Sequence, residues 1–299
     1  MEKNTMKKRK LTIEEGLYLL LAGTALLALI LYVSFCLDNL MHSDTTAEVI
    51  LSKFLADRNE LISKEWLYST EIRVIYTQLV MVPLFKIFSS YRLVKLLSVF
   101  IYYAVLLYAW HMLTKRFTLE KKWIFLGLAL LLAPLSNEYL DMMFIGCFYT
   151  TQTICMYLVL SFVLKEKKNR KMWIREGIVL SILSVLLGMT GLRYLASLFL
   201  PMLLAFLLFP VLERDGNKKE NWQNITFSLL LTGFAGIGFL INKFYLAVQY
   251  SFDTTSEVSF VPIDEIPDRF LTSIRLMLEF MGYHQIRVVT PLGIVNAVK

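Results

Sequence analysis

The sequence predicts an all-α, polytopic integral membrane protein, and three observations predict it. Of the 299 residues, 57% are hydrophobic, against about 45–50% in soluble domains, and the mean hydropathy is +0.57. The apolar residues fall into repeated runs of about 17–23, the length an α-helix needs to cross ~30 Å of hydrocarbon. The basic residues gather in short segments between those runs. Lys and Arg number 31 against 24 acids, a net charge of +7. The positive-inside bias of membrane proteins accounts for such a surplus. Nucleic-acid binding is excluded as the reading, because the basic residues are scattered among short loops and form no continuous face.

Residues 1–10 form a basic tail and 16–37 the first span. Its apolar core exceeds that of a secretory signal, and Cys36-Leu37-Asp38 is a poor small-residue cleavage site, so it reads as a retained anchor with a cytoplasmic N-terminus. Residues 38–92 then form a long external loop. Read as a helix from Thr46, its apolar residues Ala47, Ile50, Leu51, Phe54 and Leu55 make one stripe, an amphipathic helix lying on the outer membrane surface. Residues 72–89 are apolar enough to cross but hold Arg73, Gln78, Pro83 and Lys86, and charge decides their placement. If they do not cross, the clusters around Lys7–Lys10, Lys115–Lys122, Lys165–Arg175 and Arg214–Lys219 all face the cytoplasm. Cytoplasmic segments then carry 18 Lys/Arg against 9 Asp/Glu, and external ones 13 against 15. If they cross, every later cluster flips outward. The segment is therefore read as a juxtamembrane or re-entrant helix.

Six further spans follow at about 93–113, 122–139, 144–164, 174–190, 192–210 and 223–247, making about seven in all. The turn between the fifth and sixth, GMTGLRY, is very short. Trp66, Trp123, Trp173 and Trp222 fall near span ends, as an interfacial belt requires. Residues 1–250 form the transmembrane module. Residues 251–299 are external, with a helix-like segment from Phe270 to Met281, and VVTPLGIVNAV resembles the start of another apolar segment. The expectation is a fragment or shortened product of a longer protein. Cys36, Cys147 and Cys155 lie in apolar segments without a CxxC or His partner and suggest no disulfide framework.

Under this topology the external ends of the spans collect ionisable groups. The first loop contributes Asp44, Glu48, Glu71 and Arg73. The second contributes Glu138 and Asp141, the third Arg193, and the end of the seventh span Lys243. Charges beside the apolar zone are costly unless paired or used, which makes them site candidates. Each has a plainer alternative. Thr45-Thr46-Ala47-Glu48 fits a capping box, Asp44 reads equally as an exposed charge beside a helix start, Glu138 and Asp141 suit a solvated loop, and Arg193 and Lys243 could snorkel to headgroups. His42, His111 and His284 are too dispersed for a metal cluster.

The succession of one span, a long external loop with an acid just after the span, and six more spans resembles the GT-C superfamily of membrane glycosyltransferases. Protein O-mannosyltransferases and lipid A aminoarabinose transferases are members. In residues, the resemblance rests on HSDTTAEVILSKFLA with KEWLYSTEIRVIYTQLV after it, which is similar to bacterial members, and more loosely on NEYLD and GLRY. It implies an inverting transfer of a sugar from a polyprenyl-phosphate donor to an acceptor at the external face of the plasma membrane. The first-loop acid is then the general base, which maps onto Asp44 with Glu48 assisting. Arg193 and Lys243 are cations for the phosphate, and Glu138 and Asp141 substrate-binding groups. No cofactor is certain, but some members hold a divalent metal on first- and second-loop acids, which maps onto Asp44 and Asp141. Single rather than paired acids at the motif depart from the family pattern. Two other classes compete: a non-catalytic membrane scaffold or inactive relative, and a lipid or sugar transporter or flippase. Spans nearly free of mid-bilayer charge count against the transporter.

Overall fold

The computed structural model describes residues 11–69, 72–165, 170–212, 218–252 and 261–281. Glu71, the N-terminal Lys7–Lys10 cluster and the apolar stretch VVTPLGIVNAV lie outside the described residues. Within them the protein is almost wholly helical. Helix α1 (Ile13–Leu40) opens with a true capping box, in which Thr12 and Glu15 satisfy each other's backbone N–H groups. Helices α2 (Ser43–Arg58) and α3 (Gln78–Phe85) belong to the first loop, with β1 (Leu67–Tyr68) between them. Helix α4 is Tyr91–Thr114. Helices α5 (Lys121–Leu132) and α6 (Asn137–Ile145) are bent by 95° at Ala133–Ser136. Then come α7 (Phe148–Val163), α8 (Arg170–Gly188), α9 (Leu192–Pro210) and α10 (Asn221–Gln249). A two-residue strand β2 (Ser251–Phe252) pairs in parallel with β1, and α11 (Ile266–Phe280) follows.

Four helices, α1, α4, α9 and α10, are long and apolar enough to cross a membrane, and the bent pair α5–α6 makes up to five. These support a membrane-associated, all-α protein. The two remaining expected spans fall short for identifiable reasons. Helix α7 has 16 residues, about 24 Å, and α8 begins Arg170-Lys171 and carries Arg175 and Glu176 in its first turns. Helix α3 has eight residues, about 12 Å, and cannot cross ~30 Å of hydrocarbon.

The core has three parts. One joins α1, α4, α5, α6 and α7 around Leu106, Leu132 and Phe144. A second joins α7 to α10 around Leu187, Phe199 and Leu231. The third lies under the first loop, where Val49, Leu55, Ile72 and Met81 meet the start of α4. Ion pairs mark both ends of the bundle. Arg92 donates to Asp38 at 3.0 Å and to the Ser34 carbonyl at 3.1 Å, tying the end of α1 to the start of α4. Lys122 lies 3.4 Å from Glu14 at the other end.

The first-loop helix differs from the sequence expectation. It begins at Ser43 with His42 as its cap, whose ring accepts the Asp44 N–H. Thr45 is inside the helix, so the expected capping box does not form; Glu48 instead reaches Thr77. Its buried side is Thr45, Val49, Ser52 and Ala56 with Leu51 and Leu55, while Ala47 and Ile50 are exposed. The reason is packing. Helix α2 lies on α3 and the loop, and small residues at 45, 52 and 56 permit a closer approach than the bulkier stripe.

Candidate functional site

At the end of the bundle where the first loop sits, a cavity of about 320 Å³ opens between α2, the loop to α3, the start of α7 and the start of α9. Asp44, Glu48, Arg73, Tyr76, Tyr149 and Arg193 all line it. Two expected acids and one expected cation thus meet in one place, from positions up to 149 residues apart in sequence.

Asp44 is exposed in the first turn of α2. Glu48, one turn on, is half-buried, and its Oε2 accepts the Thr77 hydroxyl at 3.0 Å. Burial raises its carboxyl above the ordinary range. The Arg73 charge, the Thr77 hydrogen bond and the Lys95 charge pull it down, and neighbouring Asp44 pushes it up.

Arg73 owes its position to a web of hydrogen bonds. The Ile75 N–H donates to Thr190 Oγ1 at 3.1 Å, in the turn between α8 and α9. The Asn242 amide, in a π-helical turn of α10, donates to the carbonyls of Ile72 (3.0 Å) and Met189. Gln78 donates to the carbonyl of Arg73 itself. The loop is thereby moored to two helix ends, and Arg73 joins Arg193 in the cavity wall. Its guanidinium lies 4.5 Å from the Tyr76 ring centroid, and Tyr76 stacks on Phe148 at 6.3 Å. Arg193 follows Gly191, whose φ of 102° suits glycine alone, and its guanidinium lies 5.9 Å from the Tyr149 ring.

Beneath the cavity Lys95 is wholly buried in α4, with Nζ donating to the Gly146 carbonyl at 3.3 Å. Its charge falls on Glu48 and also interacts with Asp141.

Asp141 stands in a π-helical segment, Leu140–Ile145, and does not line the cavity. Its Oδ2 is 2.8 Å from His42 Nε2. His42 Nδ1 accepts the Asp44 N–H, so Nε2 carries the proton and donates to Asp141, with Thr45 Oγ1 at 2.9 Å beside it. This bond staples the first loop to the second. Glu138 is exposed in the first turn of α6 and Lys243 is exposed beside the Phe244 ring at 5.9 Å; neither lines the cavity. The divalent-metal expectation does not fit this donor set. Asp141 is committed to His42, and among the described residues no group of three or more His, Cys, Asp and Glu side chains could hold an ion.

His42 and Lys95 were not legible as site residues, and Arg73 was legible only as one external charge among several. A faint signal existed for each. His42 directly precedes a helix start, Lys95 interrupts the apolar run YRLVKLL, and Arg73 sits between Ile72 and Val74. Three of the four ends meeting near this site carry π-helical turns, at Leu140–Ile145, Leu195–Phe199 and Asn242–Leu246, a distortion common at functional sites.

Comparison with protein-family models, curated proteins and solved structures finds no match to this chain.

Proposed function

We propose that this is a membrane glycosyltransferase that moves a sugar from a polyprenyl-phosphate donor to an acceptor at the external face of the membrane. The observation that carries the reading is the meeting of Asp44, Glu48, Arg73 and Arg193 in one cavity. Two guanidinia suit a phosphate, since each offers a planar fork of donors to its oxygens. A carboxylate opposite them suits the acceptor hydroxyl, from which a proton must be taken as the new bond forms. Asp44 is the base because it is exposed and lines the cavity opposite the guanidinia. Glu48 is raised by burial and engaged by Thr77, which suits an assisting group. The arginines would stabilise charge developing on the departing lipid phosphate.

In the membrane we read seven passes, with α7 and α8 completing the five candidates, the N-terminus in the cytoplasm of a plasma membrane and the cavity outside. The charge partition of 18 to 9 against 13 to 15 supports that orientation.

The test is sugar transfer from a polyprenyl-phosphate donor in membranes holding the full chain. Asp44→Asn keeps the shape but cannot take the proton, and should lower turnover by roughly 10²–10⁴-fold with donor binding intact. Arg193→Ala should weaken donor binding in the same membranes, and Arg193→Lys should not fully restore it. Near-normal turnover in Asp44→Asn would remove the base and favour the scaffold.

A further inference from the structure

Helix α11 is the one long described helix with no buried residue. Its sequence, IPDRFLTSIRLMLEF, places Ile266, Phe270, Ile274, Met277 and Leu278 on one side, with Met281 just beyond its end. At 100° per residue they fill an arc of roughly 120°. Asp268, Arg269, Thr272, Arg275 and Glu279 occupy the other side. The apolar side chains are 41% to 64% exposed, so no described part of the protein covers them. On the polar side the charges are paired along the helix, Arg269 with Glu265 at 3.0 Å and Arg275 with Glu279 at 3.6 Å.

What covers this stripe is indicated by where the helix is attached. Its last residue is held to the junction of α5 and α6: the Ser136 hydroxyl donates to the Phe280 carbonyl at 2.7 Å. The Phe280 ring meets Tyr139 edge-on at 5.4 Å. That junction is where the apolar run of α5 ends and the chain turns by 95°, which is the depth of the membrane boundary if α5 crosses. Leu130 and Leu135, just before it, are exposed on the bundle surface, so the stripe of α11 continues an apolar surface that faces lipid. Phe280 lies at the flank of the apolar arc, and its contact with Tyr139 leaves the arc itself free.

We infer that α11 lies in the interface of the bilayer, on the side of the membrane where the cavity opens, with the Ile266–Leu278 stripe sunk among the upper acyl chains and the paired charges in water. The occupant of the stripe is phospholipid. An in-plane helix of about 22 Å, pinned at one end to a span, would fix the level of the chain leading from β2 and hold it against the membrane. The inference depends on the membrane reading alone and stands whether or not sugar transfer does.

The experiment uses the full chain with Cys36, Cys147 and Cys155 replaced by Ser, reconstituted in phosphatidylethanolamine–phosphatidylglycerol vesicles. Single nitroxide labels go at the exposed Phe270, Ile274 and Thr272 and at the half-buried Glu279, none of them in the core, so that folding is not at issue. Accessibility to oxygen and to a water-soluble nickel chelate is then measured. The expected result is a severalfold preference for oxygen at Phe270 and Ile274, with depths of roughly 5–10 Å below the phosphates, and the reverse preference at Thr272 and Glu279. Chelate preference at all four sites would overturn the inference. So would spin–spin broadening at Ile274, which would mean that a second copy covers the stripe, or exclusion of both reagents there, which would mean that protein does.

Discussion

At the residue scale, the cavity shows how two carboxylates acquire different roles from their surroundings. Asp44 and Glu48 are one helical turn apart, yet one is exposed and the other half-buried beside Thr77. The difference follows from which side of α2 packs inward, and it has a measurable consequence. The folded protein holds the Glu48 proton more tightly than the unfolded chain, because burial raises its carboxyl. Stability from this group is therefore fully present below the unfolded carboxylate range, near 4.5, and is lost as pH rises through the raised folded value. Unfolding in detergent, followed from pH 4 to pH 7, should show that decline in the parent chain. Glu48→Gln cannot ionise but can still accept from Thr77, so it should flatten the slope. An unchanged slope would place the titration elsewhere. The presence of both acids near the first span was legible in the sequence. Their unequal environments were not, because the hydrophobic pattern pointed to Ala47, Ile50 and Phe54 as the buried stripe, and Thr45 and Ser52, which pack inward, look polar on paper.

At the element scale, the closest approach is between α8 and α10. A Cβ added to Gly188 would fall inside the Ala235 carbonyl, and one at Gly238 inside the Val185 carbonyl. Backbones this close gain van der Waals contact over a long seam, the usual basis of helix association in membranes. Gly236, on the same helix, has nothing within 4 Å and is the internal control. Gly238→Ala should destabilise the protein by about 1–3 kcal/mol, as overpacking does, whereas Gly236→Ala should be neutral or slightly stabilising. Thermal unfolding in detergent compares the two directly; because alanine has the higher helix propensity at both positions, equal effects would mean that the seam is not the constraint. The site depends on this seam, since Met189 and Thr190 at the end of α8 and Asn242 on α10 together moor the loop that carries Arg73.

At the scale of the whole molecule, successive helices place the first loop, the α8–α9 turn and the end of α10 together, as the β1–β2 pair confirms for residues 184 positions apart. The sequence-assigned external segments are thus neighbours in space, and the basic segment around Lys121–Lys122 lies at the opposite end, by the N-terminus of α1. Cysteines placed singly at Ser69 and Lys121, both exposed, test the orientation in a background with the native thiols replaced by Ser. A membrane-impermeant thiol reagent applied to intact cells should label Ser69→Cys at least tenfold more than Lys121→Cys. Preferential labelling at Lys121 would invert the protein and move the cavity to the cytoplasm.

Composition and periodicity alone determined that this chain is helical and apolar enough for a membrane. They also placed α4, α9 and α10 within a few residues and kept residues 72–89 from being a span. These properties are local: hydropathy over about twenty residues and the charge of the segments between runs are written along the chain. Only the tertiary structure decided which charges share a cavity. It joined Arg73 to Arg193, diverted Asp141 to His42, left Glu138 and Lys243 outside the cavity, and buried Lys95 under it. Those pairings join residues 51 to 120 positions apart, and they are set by the rotation of each helix about its axis. Packing of small residues helps fix that rotation, as on α2 and along the α8–α10 seam, and hydropathy hardly senses it.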